Sequence, residues 1–183
     1  MTADEYLAWE RTQEARHEFH RGEIFAMAGG SPRHNALAAA VIRDLGAAVR
    51  GTQCRVLTSD QRIAAPTGSR YVYADVTLVC GPMELETGTT DVLSNPVAIV
   101  EVLSKSTEAH DRGQKWEGYQ NIRSLTDYLL VSQSTPKIEH FQRRDDGSWR
   151  YEVAGPAGEV ELANGACILV DSVFAGAFEV EGE

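Results

Sequence analysis

The amino-acid sequence predicts an α/β protein of the α+β kind, in which a central mixed β-sheet is flanked by helices. Three observations lead to this fold class: a helix, a hairpin and a second helix come first, strand-like segments fill the middle, and one further helix precedes the last strands. A doubly wound fold would instead alternate strands and helices regularly. At 183 residues the chain is long enough for one core and short for two, so we expect a single domain over residues 1–183.

The predicted elements follow from caps, turns and hydrophobic periodicity. Thr2, with Glu5 three residues later, is expected to form a capping box at the first helix, and Arg21-Gly22 is expected to turn the hairpin. Pro32 opens a second helix that ends near residue 51. The pattern predicts helices at 2–13, 32–50 and 107–122, a hairpin at 18–27, strands at 54–58, 60–65 (paired with 54–58), 71–79, 97–103, 127–132, 137–143, 149–153 and 166–170, and a last helical turn after residue 171.

Composition limits the class of protein. Hydrophobic residues make up 43% and charged residues 24% of the chain, as in ordinary globular proteins, and neither a signal peptide nor a membrane span is expected. A net charge of −10 argues against generic tight binding to nucleic acid, although nine arginines between residues 11 and 70 leave room for a local basic face. Cys54, Cys80 and Cys167 are few and widely spaced, so we expect three unpaired, buried side chains and a cytoplasmic location.

Two acidic residues interrupt strands that are otherwise apolar. The alternation in residues 71–79 places Asp75 in the middle of a strand, and Glu101 lies in a run, Val97–Leu103, that predicts burial on both faces. A buried carboxylate must be paired, protonated or bound to a metal. Two of them on neighbouring strands favour Mg²⁺ or Mn²⁺ with oxygen ligands. Either acid alone would equally fit a strand edge or a salt bridge to an arginine.

The helix predicted at 107–122 carries a lysine on the face expected to pack on the sheet. Asp111 is placed to be the N-cap of a capping box. Lys115, Tyr119 and Ile122 follow at i, i+4 and i+7, which puts them on one stripe. A lysine on such a stripe needs an anion, and the two strand carboxylates would supply it. The alternative is a lysine at the rim of the face, with its ammonium in water.

In this order, Asp75, Glu101 and a helix-borne Lys115 resemble the PD-(D/E)XK nuclease superfamily. The chain is most similar to its Uma-two (Uma2) branch of proposed restriction endonucleases. The most specific segment runs from Glu101 to Tyr119, with Glu-Val-Leu-Ser followed by Ser-Thr, Asp, Lys and Tyr. The similar segments span nearly the whole chain: residues 1–9, RHEFHRGEIFAMAG at 16–29, SPRHN at 31–35, TSDQRI at 58–63, YADVTLV at 73–79, NPVAIVEVLSKSTEAHDRGQKWEGYQ at 95–120 and YLLVSQ at 128–133.

This resemblance implies a restriction-endonuclease-like core and a metal-dependent nuclease. Asp75 and Glu101, with the backbone carbonyl of Val102, would hold one or two Mg²⁺ (or Mn²⁺) ions, which polarise the scissile phosphate and activate a water. The family pattern also places Glu18 and His34 near the site. Taken alone, Glu18 is more typical of a solvated charge, and His34 of a helix cap or a surface residue.

One position departs from the superfamily pattern in a way that affects the chemistry. In the E-x-K motif a lysine follows the glutamate by two residues, and here that position is Leu103, on the same face as Glu101. Lys115 is the first candidate to replace it, and Lys105, just past the strand end, is the second. Such a lysine would position or deprotonate the attacking water, or stabilise the developing negative charge.

Three functional hypotheses stay open on the sequence. The first is a Mg²⁺-dependent endonuclease acting on DNA as a homodimer, because one small subunit reaches only one strand of a duplex. The second is a catalytically inactive, nuclease-derived binding or regulatory module, which Leu103 and the net charge favour. The third is a hydrolase of small phosphate esters. Fold analogy alone does not choose between them.

Overall fold

The computed structural model describes residues 1–27, 29–65 and 70–179. Its helices are α1 (Ala3–Glu10), α2 (Pro32–Ala48), α3 (Glu108–His110), a π-helical segment (Asp111–Lys115), α4 (Trp116–Tyr119) and α5 (Val170–Phe174). Its strands are β1 (His17–His20), β2 (Glu23–Ala26), β3 (Cys54–Thr58), β4 (Arg62–Ala65), β5 (Arg70–Tyr73), β6 (Val76–Cys80), β7 (Val92–Leu93), β8 (Ala98–Leu103), β9 (Asp127–Ser132), β10 (Ile138–Arg143), β11 (Trp149–Ala154), β12 (Glu159–Glu161) and β13 (Cys167–Leu169).

The strands form two larger sheets and one small hairpin. The order is β2-β1-β5-β4-β7 in the five-stranded sheet and β11-β10-β9-β8-β6-β3 in the six-stranded sheet, while β12 pairs with β13. Both larger sheets are mixed, because β8 runs parallel to β9 and β4 runs parallel to β7. The predicted fold class, a mixed sheet flanked by helices, is confirmed, with the difference that the strands divide between two sheets.

The predicted starts of the first two helices and the hairpin turn are confirmed. The Thr2 side chain accepts the N–H of Glu5, whose carboxylate in turn accepts the N–H of Thr2. Arg21 and Gly22 both have positive φ, 48° and 92°, as a two-residue turn with the twist of its flanking strands requires. Ser31 caps α2 through the N–H at its third position. The buried side chains of α2 are Leu37, Val41 and Leu45.

The strand predicted at 71–79 is divided in the structure. β5 ends at Tyr73 and β6 begins at Val76, and the residues between them carry the chain from the five-stranded to the six-stranded sheet. Asp75 therefore lies at a junction between two sheets, and the prediction that it sits mid-strand is wrong. The predicted pairing of the two preceding strands is also wrong, because β3 pairs with β6 whereas β4 pairs with β5 and β7.

The predicted helix at 107–122 is present in shorter form and contains a π-helical segment. Asp111 has helical backbone angles and lies within this helical stretch, so the predicted N-cap role of Asp111 is wrong. In the region predicted as a loop at 81–95, the two residues of β7 add a short parallel strand beside β4. The strands predicted at 127–132, 137–143 and 149–153 are confirmed within a residue of their ends.

Buried apolar side chains cover both faces of the six-stranded sheet. The first cluster joins α2 and α5 to the face that carries Val100 and Val102. The second joins the stripe of Tyr119 and Ile122 to the opposite face, through residues such as Leu103. Because side chains alternate along a strand, Glu101 points to the second cluster, beneath the helix that carries the predicted lysine.

Two of the three cysteines are bonded to each other. Cys54 and Cys80 lie directly opposite on β3 and β6 and form a disulfide, while Cys167 is free and exposed. The prediction of three unpaired, buried cysteines is wrong, because 26 residues of sequence separation conceal a pairing that the strand register creates. The inference from cysteine usage to a cytoplasmic location loses its basis. None of the described helices combines the length and the apolar character needed to cross a membrane.

Candidate active site

Glu101 lies near the centre of β8, between β6 on one side and β9 on the other. Its side chain is buried, with 3% of the residue exposed, which confirms the predicted burial. Oε1 accepts a hydrogen bond from the Tyr119 hydroxyl at 2.8 Å and another from Lys115 Nζ at 3.2 Å. The strand thus places a carboxylate in an apolar layer, and the helix above it supplies both of these donors.

Asp75 lies beside Glu101 because of the strand register. Val76 is opposite Val100 in the antiparallel pair of β6 and β8, so one step back along β6 brings the chain next to Glu101. Asp75 Oδ2 accepts the backbone N–H of Val102 at 2.7 Å. A carboxylate therefore takes the hydrogen bond that a continuing strand would otherwise receive, and this fixes Asp75 against β8.

His34 joins Asp75 from the other layer. Its Nε2 lies 3.2 Å from Asp75 Oδ2, and it reaches this position from the first turn of α2. Burial lowers the pKa of the His34 imidazole, but the hydrogen bond and the charge of Asp75 more than offset this and give a net rise. The other ring nitrogen, Nδ1, is buried and receives no hydrogen bond from the described residues. The alternative of a merely superficial histidine is therefore wrong.

Lys115 is held among three carboxylates. Its Nζ lies 3.1 Å from Glu18 Oε1, 3.2 Å from Glu101 Oε1 and 3.4 Å from Asp111 Oδ1, and it donates to the carbonyl of Tyr73 at 3.3 Å. Only 6% of the lysine is exposed. It belongs to the π-helical segment, a departure from α-helix that occurs frequently at functional sites. The alternative of a lysine at the rim, with its ammonium in water, is wrong.

Glu18 reaches this cluster from β1 of the five-stranded sheet. Its Oε1 accepts the N–H of Tyr73 at 3.2 Å, and its Oε2 lies 3.4 Å from Nε2 of His110. The residue is 6% exposed, so the alternative of a solvated charge is wrong. The cluster therefore joins side chains of both sheets and of the intervening helix.

Burial and the ammonium of Lys115 act in opposite directions on the carboxylates. Burial raises the pKa of Glu101 well above its usual value, and Lys115 offsets only part of that rise. Burial likewise raises the pKa of Asp111. At Glu18 burial is outweighed by Lys115 and by its other hydrogen-bond donors, and the pKa is lowered. Burial lowers the pKa of Lys115, but the surrounding carboxylates raise it by a larger amount. The net effect is a raised pKa, so the side chain stays an ammonium at neutral pH.

Comparison with known proteins identifies the family. The model of the Uma2 family, described as "Putative restriction endonuclease", matches residues 3–166. The chain belongs to the Uma2 family. Two proteins of Synechocystis sp. (strain ATCC 27184 / PCC 6803 / Kazusa), both described as uncharacterized, are similar to this Uma2 chain. They are 34% identical over 177 residues and 33% identical over 164 residues, covering 96% and 89% of this chain and 92% and 93% of the relatives.

A solved structure supports the same fold for this Uma2 chain. It is the 1.96 Å crystal structure of "a putative nuclease belonging to DUF820" from Anabaena variabilis ATCC 29413. The two chains superimpose with a TM-score of 0.78 over 97% of this chain and 99% of the other, at 15% sequence identity. The family predicted from the sequence motifs is confirmed by the family model, and the predicted fold class by this structural similarity.

Membership in a family described as restriction endonucleases implies a divalent metal, and Asp75 and Glu101 are the carboxylates of this Uma2 chain that could contribute ligands to it. The hydrogen bonds found for Asp75 and Glu101 fall on Oδ2 and Oε1, and Oδ1 and Oε2 accept none from the described residues. Within that part of the chain, no group of three or more His, Cys, Asp or Glu side chains could hold a metal ion. A site here would thus use two carboxylates, a backbone carbonyl and water, the type of ligand set that Mg²⁺ accepts.

The structure brings the five predicted site residues into two adjoining groups. Lys115 joins Glu101 and Glu18, whereas Asp75 joins His34 and the N–H of Val102. Their catalytic and metal-binding roles, including that of the Val102 carbonyl, stay predictions. At the two other positions of interest, Leu103 is buried in the second apolar cluster and Lys105 is exposed in the turn after β8.

Three contacts of this Uma2 site escaped the sequence reasoning. Asp111 was predicted as a helix cap and Tyr119 only as a member of the stripe with Lys115, and His110 was not among the predicted site residues. A signal for two of them was present, because Asp111 lies four residues before Lys115, and Tyr119 four residues after it. Residues at this spacing share one helix face. Nothing in the spacing of His110 indicates its contact with Glu18.

Proposed function

We propose that this chain is a Mg²⁺-dependent endonuclease that hydrolyses phosphodiester bonds in DNA, acting as a single-domain subunit of a homodimer. One observation carries the proposal: Asp75, in the junction just before β6, is hydrogen-bonded to β8 next to Glu101, and a helix-borne ammonium contacts Glu101. Family membership and fold support the class of nuclease. The use of Mg²⁺, DNA as the substrate and the homodimer are what we propose beyond the family.

The proposed roles follow from the contacts of each residue. Asp75, Glu101 and the carbonyl of Val102 would hold the ion, which when bound polarises the phosphate and lowers the pKa of a water. Tyr119 fixes the orientation of the Glu101 carboxylate through Oε1 and leaves Oε2 for the ion. His34 and the N–H of Val102 do the same for Asp75 by occupying Oδ2.

In this proposal the ammonium of Lys115 supplies positive charge to the site. Because its pKa is raised, it stays protonated at neutral pH and is unsuited to remove a proton from water. An ammonium buried beside the reacting phosphate would instead stabilise the negative charge that develops on its oxygens. It would supply from the helix the charge that the E-x-K lysine supplies from the strand.

The contacts of Lys115 with carboxylates of the protein itself favour a second candidate function. Three carboxylates surround its ammonium, and the position two residues after Glu101 is apolar. A site whose only buried lysine among the described residues is neutralised internally suits a nuclease-derived binding or regulatory module. Such a module would bind metal or nucleic acid and would not cleave.

The experiment that tests the proposal is calorimetric titration of chelator-treated protein with Mn²⁺, with and without a DNA duplex. Glu101→Ala is compared with Glu23→Ala, which removes an exposed carboxylate on β2. We expect binding by the wild type and by Glu23→Ala, at least 100-fold weaker binding by Glu101→Ala, and metal-dependent nicking of supercoiled plasmid. Binding without cleavage of single- or double-stranded DNA would favour the inactive module. No binding of Mn²⁺ in either condition would overturn the metal site.

A further inference from the structure

Within the described part of the chain, β11 is an edge strand of the six-stranded sheet. Among the described residues β11 has one neighbour, β10, and its pairing with that strand is continuous from Trp149 to Ala154. Edge strands of natural proteins are usually protected by charged side chains (lysine above all), a proline or a bulge, because unpaired backbone groups invite another chain. β11 has no lysine, proline or bulge. Its two charged residues, Arg150 and Glu152, pair with each other, and its side chains Tyr151 and Val153 are 52% and 51% exposed.

The backbone groups that face outward on β11 can be assigned. The N–H of Arg144 donates to the carbonyl of Ser148 at the turn between β10 and β11. Hydrogen-bonded pairs alternate with non-bonded pairs along an antiparallel ladder, so in the same register residues 150, 152 and 154 bond to β10. Trp149, Tyr151 and Val153 therefore turn their N–H and C=O groups to the open edge.

We propose that β11 pairs in antiparallel fashion with β11 of a second copy of this chain, around a two-fold axis at Tyr151. This proposal rests on the homodimer of the proposed function and names its interface. A two-fold axis at residue 150, 151 or 152 would let the outward groups bond. The axis at Tyr151 sets Arg150 opposite the partner's Glu152, twice by symmetry. An axis at residue 150 or 152 would oppose like charges, which destabilises a strand pair.

The outer face of β11 adds apolar contact to the backbone pairing. Tyr151 lies beside Phe141, with ring centroids 4.9 Å apart, at the wall of a groove of about 380 Å³ that Arg112 and Trp116 also line. In the proposed register the two copies of Tyr151 become cross-strand neighbours, and aromatic pairs of this kind stabilise sheets. One six-residue strand is a small contact compared with permanent interfaces. We therefore expect a dimer that dissociates on dilution.

Charge reversal tests the register, with sedimentation or light scattering between about 1 and 500 µM protein as the readout. Glu152→Arg sets Arg150 opposite an arginine on both sides of the axis and should weaken dimerisation roughly tenfold or more. The exchange R150E/E152R restores opposite charges and is the matched control, expected within about threefold of the wild type. Dimerisation that Glu152→Arg leaves unchanged would overturn the proposed register.

Cysteine cross-linking locates the axis, in a Cys167→Ser background that removes the exposed native thiol. Two directly opposite residues in a hydrogen-bonded pair have Cα atoms about 5.5 Å apart, within reach of a disulfide. Tyr151→Cys should therefore form a disulfide with the same residue of the second copy. Val153→Cys should not, because the twin residue lies roughly 14 Å away along the strand.

The outcomes separate this interface from the proposed function. Cross-linking of Val153→Cys without Tyr151→Cys would overturn the register. A dimer by mass in which neither cysteine cross-links would overturn the interface and keep the homodimer. A monomer at every concentration, with an unchanged circular dichroism spectrum, would overturn both. None of these results bears on Mn²⁺ binding or DNA cleavage, which are measured independently of assembly.

Discussion

Replacing Lys115 with Met should destabilise the fold far more than replacing Glu101 with Gln. The ammonium has carboxylate oxygens at 3.1, 3.2 and 3.4 Å. With an effective dielectric constant of about 20, each contact supplies about 5 kcal/mol of attraction before desolvation. Oxygens that surround one ammonium lie about 5 Å from each other, so the other two repel each carboxylate by a total of about 6–7 kcal/mol.

Attraction and repulsion nearly cancel for any one carboxylate of this cluster. Glu101→Gln should therefore change the free energy of unfolding by less than about 1 kcal/mol, and the amide oxygen can still accept the hydrogen bond from Tyr119. No such cancellation exists for Lys115. Its removal leaves three buried carboxylates facing each other, at an expected cost of about 3–5 kcal/mol.

The assay is equilibrium unfolding in urea at pH 7, with a chelator present so that no metal contributes. Lys137→Met is the matched control, because that lysine is 40% exposed and pairs with Glu139, outside the Lys115 cluster. We expect the control to change stability by less than about 1 kcal/mol. Equal losses for Glu101→Gln and Lys115→Met would refute the reasoning and would make the cluster an ordinary structural salt bridge.

Three further predictions concern other contacts. Tyr119→Phe removes the donor that orients Glu101 and should weaken Mn²⁺ binding by about tenfold in calorimetry, with near-normal stability; unchanged affinity would count against that role. The pKa of Glu139 is lowered to about 2, chiefly by its hydrogen bonds with the partly exposed Arg112. The ionised Glu139 therefore stabilises the folded protein above about pH 4.5, and this stabilisation is lost as the pH falls toward 2. After solvent screening this amounts to about 1–2 kcal/mol, and Glu139→Gln should show a correspondingly flatter pH dependence of unfolding. For Cys54 and Cys80, thiol titration of the unfolded protein should find one free thiol before reduction and three after it, and C54S/C80S should cost roughly 3 kcal/mol; three thiols before reduction would contradict the disulfide.

Local patterns predict the elements of this fold better than they predict its pairings. Thr2, the Arg21-Gly22 turn and Ser31 determine local geometry through neighbours in sequence, so they can be located without tertiary information. The break before Val76 could not be predicted. Alternating apolar residues run through it, and it carries no glycine or proline. It arises because the chain passes from one sheet to another, a property of the assembled fold.

The candidate site was predicted in composition and only partly in arrangement. Glu101 and Lys115 each stand out, one as an acid in an apolar strand and the other as a base on an apolar stripe. That one ammonium contacts carboxylates of a strand, a helix and the other sheet depends on long-range packing, as does the pairing of Glu18 with His110. The disulfide was missed for the same reason, since the register of β3 and β6 creates it.

The apolar residue at the E-x-K position gives the most direct test of what Lys115 replaces. Leu103 shares a strand face with Glu101 and is 5% exposed, so Leu103→Lys should by itself destabilise the protein by about 2–4 kcal/mol. In the Lys115→Met background the ammonium of the lysine introduced at residue 103 would contact carboxylates that no other cation neutralises. The destabilisation caused by Leu103→Lys should therefore be about 1–3 kcal/mol smaller in this background than in the wild type, as a double-mutant cycle would measure. If strand and helix supply the same charge, L103K/K115M should also recover part of any nicking activity that Lys115→Met loses. Additive losses of stability would mean that a lysine at residue 103 cannot reach the cluster, and the two positions would then not be equivalent.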